Sequence, residues 1–367
     1  MKKGKFVFYD TGMTMKNTKT SGVFKKIQAQ VKAMNVEGES ECELLVIPRP
    51  ECGRISLFFK YLFADIFRDY YDELKDCDFI YFRRFIPTSA GVLKLLKRLR
   101  ENSDVKLLYE IPTFPYDQEH KHGVMKVLLI IDKLFRNKLR KYLDYTVVVG
   151  DGKDPFGTVG MNISNGIDCS SIKVAKPREN LDEYHFIAVG NFVNYHGCER
   201  LIKGMHEYYT KQPDAKKVIF KIVGPKTAEV FKYEKLVQQF GLSETVHING
   251  PAYGEELDKL YDWADFGISS LATTNFEVLS NLKTREYMAR GVPFMSSSHV
   301  DVALDDDFVY YVPNDASPVD VFATVKYLDD LYAKYDVEDL SKTIRTAAEE
   351  RCDMKITMKP VVDYIIG

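Results

Sequence analysis

Phe266-Gly-Ile-Ser-Ser270, a polar loop reaching Asn281, and Leu282-Lys-Thr-Arg-Glu-Tyr-Met-Ala-Arg-Gly-Val-Pro-Phe294 form the most informative stretch of the chain. A short apolar run, a loop, a segment of helical period ended by Gly291 and Pro293, and a second apolar run read as strand, loop, helix and strand. A helix that starts near Asn281 presents backbone N–H groups with no partner in its own helix. Such an end attracts anions, phosphate above all. Lys283 and Arg285 add positive charge to the first turn, and Glu286, one turn in, suits hydroxyl groups better than phosphate. The plain alternative is a surface helix whose Lys and Glu are solvated.

Outward from this stretch, short apolar runs alternate with helix-period segments, the pattern of parallel sheets with helical crossovers. In the first half the strand candidates are 5–9, 43–47, 78–82, 105–109 and 145–149. The helix candidates between them are 22–35, 55–75, 88–101 and 122–143. The polar loop 10–20 follows the first strand, where an open parallel sheet places ligand contacts. A charged, proline-containing stretch, Lys176-Pro-Arg-Glu-Asn-Leu-Asp-Glu183, reads as a linker. Beyond it come strand candidates 185–189, 217–223, 245–248, 266–269, 292–296 and 308–312, with helices near 197–210, 228–240, 254–263 and 281–290. The tail 317–366 is mostly helical by period. The expected fold class is α/β, two Rossmann-like doubly wound domains. The first spans 1–178, with a C-terminal helix near 352–367 that packs back on it, and the second spans 184–350.

Length and composition agree with two cores: 367 residues, 45% hydrophobic and 28% charged. A net charge of −2 argues against a globally basic nucleic-acid binder. Six cysteines lie scattered without a Cys-x-x-Cys pair, and the seven histidines do not join them at zinc-ligand spacing. Reduced cysteines, no signal peptide and no apolar run of about 18 residues lead to the expectation of a cytoplasmic protein.

Several strings together resemble the GT-B glycosyltransferases of family 4, of the bacterial capsule and surface-polysaccharide type. They are Gly224-Pro-Lys226, Phe240 to Gly250, Glu255 to Asp265, and Arg285-Glu-Tyr-Met-Ala-Arg-Gly-Val-Pro293, all in the donor half. Leu282-Lys-Thr-Arg-Glu-Tyr287 is typical of the surface-polysaccharide members, and Asn165-Gly-Ile-Asp168 is similar to the family's Asn-Gly-Val-Asp. Tyr109 to Tyr116 and Ser21 to Ile27 resemble acceptor-half signatures. The likeness covers most of the chain in order. It implies two domains facing a cleft and transfer of a sugar from a UDP- or GDP-sugar with retention, without a metal or other cofactor. The acceptor it implies is a glycan or lipid-linked glycan.

The resemblance also assigns candidate residues. Glu286 matches the second glutamate of the family's pair, which contacts the nucleotide ribose. The first glutamate falls at 278, which is Val278 here, so Glu277 is the candidate after a one-residue slip, with Asn275 as the substitute. The family's Arg and Lys after the first donor-half strand are replaced by Asn191 and His196, beside Gly190. Lys283, supported by Arg285 or Lys226, is then expected to neutralise the diphosphate, with Gly224 and Thr284 in the same donor set. In the first half, Gly22 opens a helix and is a candidate for backbone approach to phosphate, an ordinary helix start explaining it nearly as well. Glu110 follows a strand and is a candidate catalytic carboxylate, or a cap or ion-pair partner. Arg83 and Arg84 follow another strand and suit an anionic acceptor or a structural ion pair.

From 121 to 141 the chain carries seven Lys or Arg against one acid, Asp132, with Val124, Leu128, Ile131 and Phe135 at helical spacing. A basic amphipathic helix seeks an anionic membrane surface, with Phe58 to Phe63 as candidate aromatic anchors. The bland account is a crossover helix that covers the sheet. Two other functional readings stand beside the transferase: a nucleotide-sugar epimerase of the same architecture, and a non-catalytic GT-B protein that stabilises a partner transferase.

Overall fold

The computed structural model describes the chain apart from residues 11–21, 50, 54, 55, 57, 58, 61–66, 85, 86, 115, 118–122, 151, 194, 195 and 272–277. It divides into two compact units, Met1–Gly166 with Met354–Gly367, and Ile167–Asp353.

The N-terminal unit is built on six parallel strands: β1 Lys2–Asp10, β2 Ser40–Pro48, β3 Phe79–Arg83, β4 Lys106–Ile111, β5 Tyr145–Val149 and β6 Gly160–Ile163. Their spatial order is β2-β1-β3-β4-β5-β6. Both faces of the sheet are covered, which is why β3 is buried at all five positions. Alternation then sorts the side chains. Val7, Tyr9, Ile80, Phe82, Leu107 and Tyr109 fill one core, while Phe6, Phe8, Phe79, Tyr81 and Leu108 fill the other. The second core is closed by the tail helices Met354–Thr357 and Lys359–Ile366, which contribute Met354, Met358, Val361 and Ile365. That spacing is one face of a helix.

Strand β6 was not among the sequence candidates. It is a four-residue edge strand with Gly160 and Asn162, too short and too polar to stand out, and it is held by pairing with β5 from Thr146↔Gly160 to Val149↔Ile163. The candidate helix 55–75 is represented among the described residues by Tyr71–Leu74 and the turn Arg68–Tyr70 before it. Most of the loop 10–20, and Phe58, Tyr61, Leu62 and Phe63 of the aromatic stretch, lie outside the described residues.

The C-terminal unit repeats the plan with β7 Tyr184–Val189, β8 Val218–Val223, β9 Val246–Asn249, β10 Phe266–Ile268, β12 Phe294–Ser296 and β14 Val309–Tyr311. Their order is β14-β12-β10-β7-β8-β9, all parallel. A separate two-strand ladder joins β11 Val278–Leu279 to β13 His299–Val300. The order reverses between β7 and β10, and ligands of open α/β sheets bind at the carboxyl ends of the strands at such a point.

The stretch read as a linker is not free chain. The Lys176 amide donates to Asp262 at 2.8 Å, Arg178 pairs with Asp265 at 2.7 Å, and the Ala175 amide donates to the Arg290 carbonyl at 2.9 Å. These bonds fix it to the C-terminal unit. Among the described residues no helix is long and apolar enough to cross a membrane.

Candidate functional site

At the reversal point of the C-terminal sheet, three segments converge: the residues after β7, the turn after β8, and the first turn of the helix Leu282–Arg290. Two glycines permit the approach. A Cβ on Gly224 would lie 2.0 Å from the Gly190 carbonyl oxygen, a backbone atom that cannot move aside. A Cβ on Gly190 would lie 2.7 Å from Cε of Lys283 and 3.1 Å from its Nζ, so the space above Gly190 belongs to the lysine.

Asn281 caps the helix, its Oδ1 accepting from the Thr284 amide at 2.9 Å. Lys283 follows inside the first turn. Its stem is partly exposed, but Nζ is buried and has no hydrogen-bond partner. Nζ lies over the ring of Phe192, 5.0 Å from its centroid. Burial pulls the ammonium from 10.5 down to about 8, with Cys198 and Glu286 opposing the fall. At neutral pH the group therefore still carries its charge, with no salt-bridge partner among the described residues.

His196 lies on the same side, its Nε2 3.8 Å from the Cβ position above Gly190. Its Nδ1 lies 3.0 Å from the Val193 amide nitrogen and 3.1 Å from the Val193 carbonyl oxygen, which also accepts from the His196 amide. Burial first, and then the charge of Lys283, pushes His196 down to about 4. It is a neutral ring at physiological pH, so it offers a dipole where the resemblance leads one to expect a permanent cation.

The other candidates divide. Asn191 is exposed beside Gly190, and Glu286 is half-buried with Oε1 3.4 Å from Arg290 Nε. Thr284, fully buried, is spent on its own helix. Its amide serves the Asn281 cap, and its hydroxyl donates to the Asn281 carbonyl and accepts from Arg285. Arg285 is equally committed. It is 0% exposed and donates to Ser280, Thr284 and Asp301, so it is not a second cation for the site. Lys226 is exposed and paired with Glu234 at 3.1 Å. Glu277 and Asn275 lie outside the described residues. Phe192, which underlies the lysine, was missed in the sequence. Its only signal is an aromatic residue two positions after a strand-end glycine.

In the N-terminal unit, Glu110 is 0% exposed. Arg83 Nη1 reaches both of its oxygens at 3.0 and 3.2 Å, Lys26 donates at 3.2 Å, and Gln30 donates at 3.2 Å. Burial pushes the carboxyl up, but Arg83 and Lys26 outweigh it and the net direction is down. A carboxylate held in this way anchors Lys26 and Arg83, the ion-pair alternative for Glu110. Gly22 begins the helix Gly22–Ala33 in open space, and nothing there requires a missing side chain.

With this geometry in hand, comparison with known proteins is informative. Residues 183–328 match the family model described as Glycosyl transferases group 1. No curated protein matches the chain. Among solved structures, sucrose-phosphate synthase from Thermosynechococcus elongatus is similar at 14% identity and a TM-score of 0.64, over 100% of this chain and 99% of the other. Alr3699/HepE from Anabaena, in complex with UDP, aligns at 13% identity and a TM-score of 0.63, over 99% of each chain. WaaG, a glycosyltransferase involved in lipopolysaccharide biosynthesis, aligns at 12% and 0.60, over 99% of this chain and 100% of the other. At such identities the likeness establishes the fold. The chain has the GT-B fold of two Rossmann-like domains, and its C-terminal unit carries the match to the glycosyl transferases of group 1.

Proposed function

We propose that the chain is a nucleotide-sugar-dependent glycosyltransferase. It takes a sugar from a UDP- or GDP-sugar with retention at the anomeric carbon and transfers it to a glycan or lipid-linked glycan in surface-polysaccharide synthesis. The observation that carries this reading is the buried, unpartnered ammonium of Lys283 at the strand-order reversal, in the first turn of a helix. A diphosphate supplies the missing counter-charge. As the bond from C1 to the leaving oxygen breaks, negative charge grows on the departing diphosphate. The Lys283 ammonium, the His196 ring and the amides of the helix start are fixed in advance to stabilise it. The proposal assigns charge neutralisation to these groups rather than to a metal ion.

The match over 183–328 supports glycosyl transfer. UDP and UDP-glucose bound to Alr3699/HepE support a nucleotide-sugar donor, and the role of WaaG supports a surface-glycan acceptor. A cytoplasmic location at the inner membrane face fits the helix Gly123–Phe135. Leu129 and Ile131 are buried, while Val127, Ile130 and Leu134 are 43%, 55% and 64% exposed, a second apolar ridge at helical spacing. Lys126 and Lys133 flank it, and Lys138, Arg140 and Lys141 follow, all exposed. Asp132 is buried and taken up by Tyr116 and Thr88, so it does not offset them at the surface. The deciding experiment is calorimetric titration of UDP, GDP and UDP-glucose into the native protein and Lys283→Ala. Nucleotide binding that is lost in the variant supports the reading, and equal affinity in both removes it.

A further inference from the structure

One cation of the N-terminal unit has no part in the donor chemistry. Arg84 follows β3, at the point where the sheet order turns between β1 and β3, the position at which an open α/β sheet receives ligands. Its guanidinium carbon lies 3.1 Å from the centroid of the Tyr116 ring. Tyr116 is 1% exposed, and its hydroxyl donates to Asp132 Oδ2 at 2.6 Å, while the other oxygen of Asp132 accepts from the Thr88 amide at 2.8 Å. The platform under the guanidinium is thus tethered through its hydroxyl.

Stacking engages the face of a guanidinium and leaves its in-plane N–H groups unused. In Arg84, Nε and Nη2 are both buried and neither has a hydrogen-bond partner. These two atoms form one edge of the fork, with parallel N–H bonds spaced for two oxygens of one oxyanion. The side chain as a whole is only half-buried, so the charge lies close to the surface. The carboxylates around it are committed elsewhere. Glu110 is held by Arg83, Lys26 and Gln30, and Asp132 by Tyr116, Thr88 and Arg136 at 3.5 Å. Arg83 and Arg84, adjacent in sequence, therefore have different tasks. Arg83 holds the fold, and Arg84 keeps one edge without a partner.

We propose that Arg84 is an oxyanion-binding residue whose Nε–Nη2 edge takes two oxygens of a phosphate or carboxylate group carried by the acceptor. Only the word acceptor rests on the transferase reading; the site itself does not. The test follows the Arg84 Nε–H resonance, identified by its loss in Arg84→Lys. The background is Lys283→Ala, so that anion binding in the other unit does not contribute. Inorganic phosphate, sodium acetate and phosphatidylglycerol vesicles are titrated separately, with sodium chloride at matched ionic strength as the control. A saturable shift with phosphate or acetate supports the site and names the group. A shift with vesicles alone supports it and makes the source a lipid headgroup. No shift with any of the three, or an equal shift with chloride, overturns it. As a second readout, calorimetric affinity for the effective anion should fall about tenfold or more when Arg84→Gln is added to Lys283→Ala. Unchanged affinity in a double variant with native circular dichroism overturns the proposal too. None of these readouts needs turnover or nucleotide binding, so failure here is distinguishable from failure of the transferase reading.

Discussion

Replacing Lys283 with methionine is expected to make the free protein more stable while depriving it of its nucleotide. Methionine retains an unbranched apolar stem of similar reach and brings no charge. In the native protein the ammonium is buried without a partner, and its fall from 10.5 to about 8 measures what that burial costs. At about 1.4 kcal/mol per pH unit, the penalty is about 3 kcal/mol at neutral pH. The sign follows from proton binding. Below pH 8 the folded and unfolded chains both hold the proton, and the whole penalty is present. Between 8 and 10.5 the unfolded chain still binds a proton that the folded chain has released, so native stability climbs with pH. Above 10.5 the penalty is gone.

The methionine variant should therefore exceed the native protein by about 3 kcal/mol at pH 7, with the gap closing between pH 8 and 10.5. For a unit of this size the gain corresponds to a rise in Tm of roughly 6 °C or more. Removing one member of a buried charge pair costs a complex about 2–5 kcal/mol, so UDP affinity should drop about 30-fold or more. Thermal unfolding across pH 7–10.5 and UDP calorimetry read the two halves separately. A variant less stable than native at pH 7 would refute the unpaired-charge argument. A more stable variant with native UDP affinity would refute the phosphate assignment alone.

Four further outcomes are expected. UDP-glucose, whose diphosphate has no ionisation near neutral pH, should bind the native protein with an affinity that is flat from pH 6 to 7.5 and declines above pH 8 as free Lys283 loses its proton, with no break near 6.5 because His196 is already neutral there; calorimetry in buffers of different ionisation enthalpy should show proton uptake on binding above pH 8. Gly224→Ala places a methyl group 2.0 Å from the Gly190 carbonyl oxygen and should cost about 1–3 kcal/mol by overpacking, seen as a lower Tm in thermal circular dichroism. Glu110→Gln leaves Lys26 and Arg83 buried without their carboxylate and should destabilise by about 3–5 kcal/mol in urea titration. The native pair's contribution, present above pH 4.5, should fade as pH falls through the lowered carboxylate value. Ile130→Ser with Leu134→Ser should weaken sedimentation with phosphatidylglycerol vesicles while leaving circular dichroism unchanged, since both side chains are exposed; unaltered sedimentation would exclude that ridge as the membrane contact.

How far the sequence could be read depends on the range of the forces involved. The run Phe79–Arg83 announces a buried strand because each of its apolar residues meets a core on one face or the other. Gly160–Ile163 does not, because its existence depends on pairing with β5 and not on its own composition. Lys283 and Arg285 illustrate the limit within the site. At about 100° per residue they point to nearly opposite sides of their helix, so the sequence separates them without saying which one faces the ligand. The decision lies with Asp301 and Ser280, which claim Arg285. Glu110 is the clearest case. A carboxylate after a strand invites a catalytic reading, but three partners from distant points of the chain, Lys26, Gln30 and Arg83, turn it inward.

The charge arrangement in the C-terminal unit has one consequence that the resemblance alone does not carry. Where the family pattern has two permanent cations, this chain has Asn191 and a neutral His196. Under the proposed function, the charge that the described residues of this unit offer a diphosphate is then concentrated in the Lys283 ammonium, with amides and the His196 ring as dipoles around it. A buried arginine would remain charged at any accessible pH, whereas the Lys283 ammonium is held near 8 by burial. An approaching diphosphate raises that value again, because an anion stabilises the charged form. Binding and protonation are therefore one coupled event. The same coupling acts on the leaving group, since the ammonium is held most firmly when negative charge on the diphosphate is greatest, after the sugar has departed. A cation that interacts more strongly with the charge growing on the diphosphate in the transition state than with the intact donor lowers the barrier to breaking the bond.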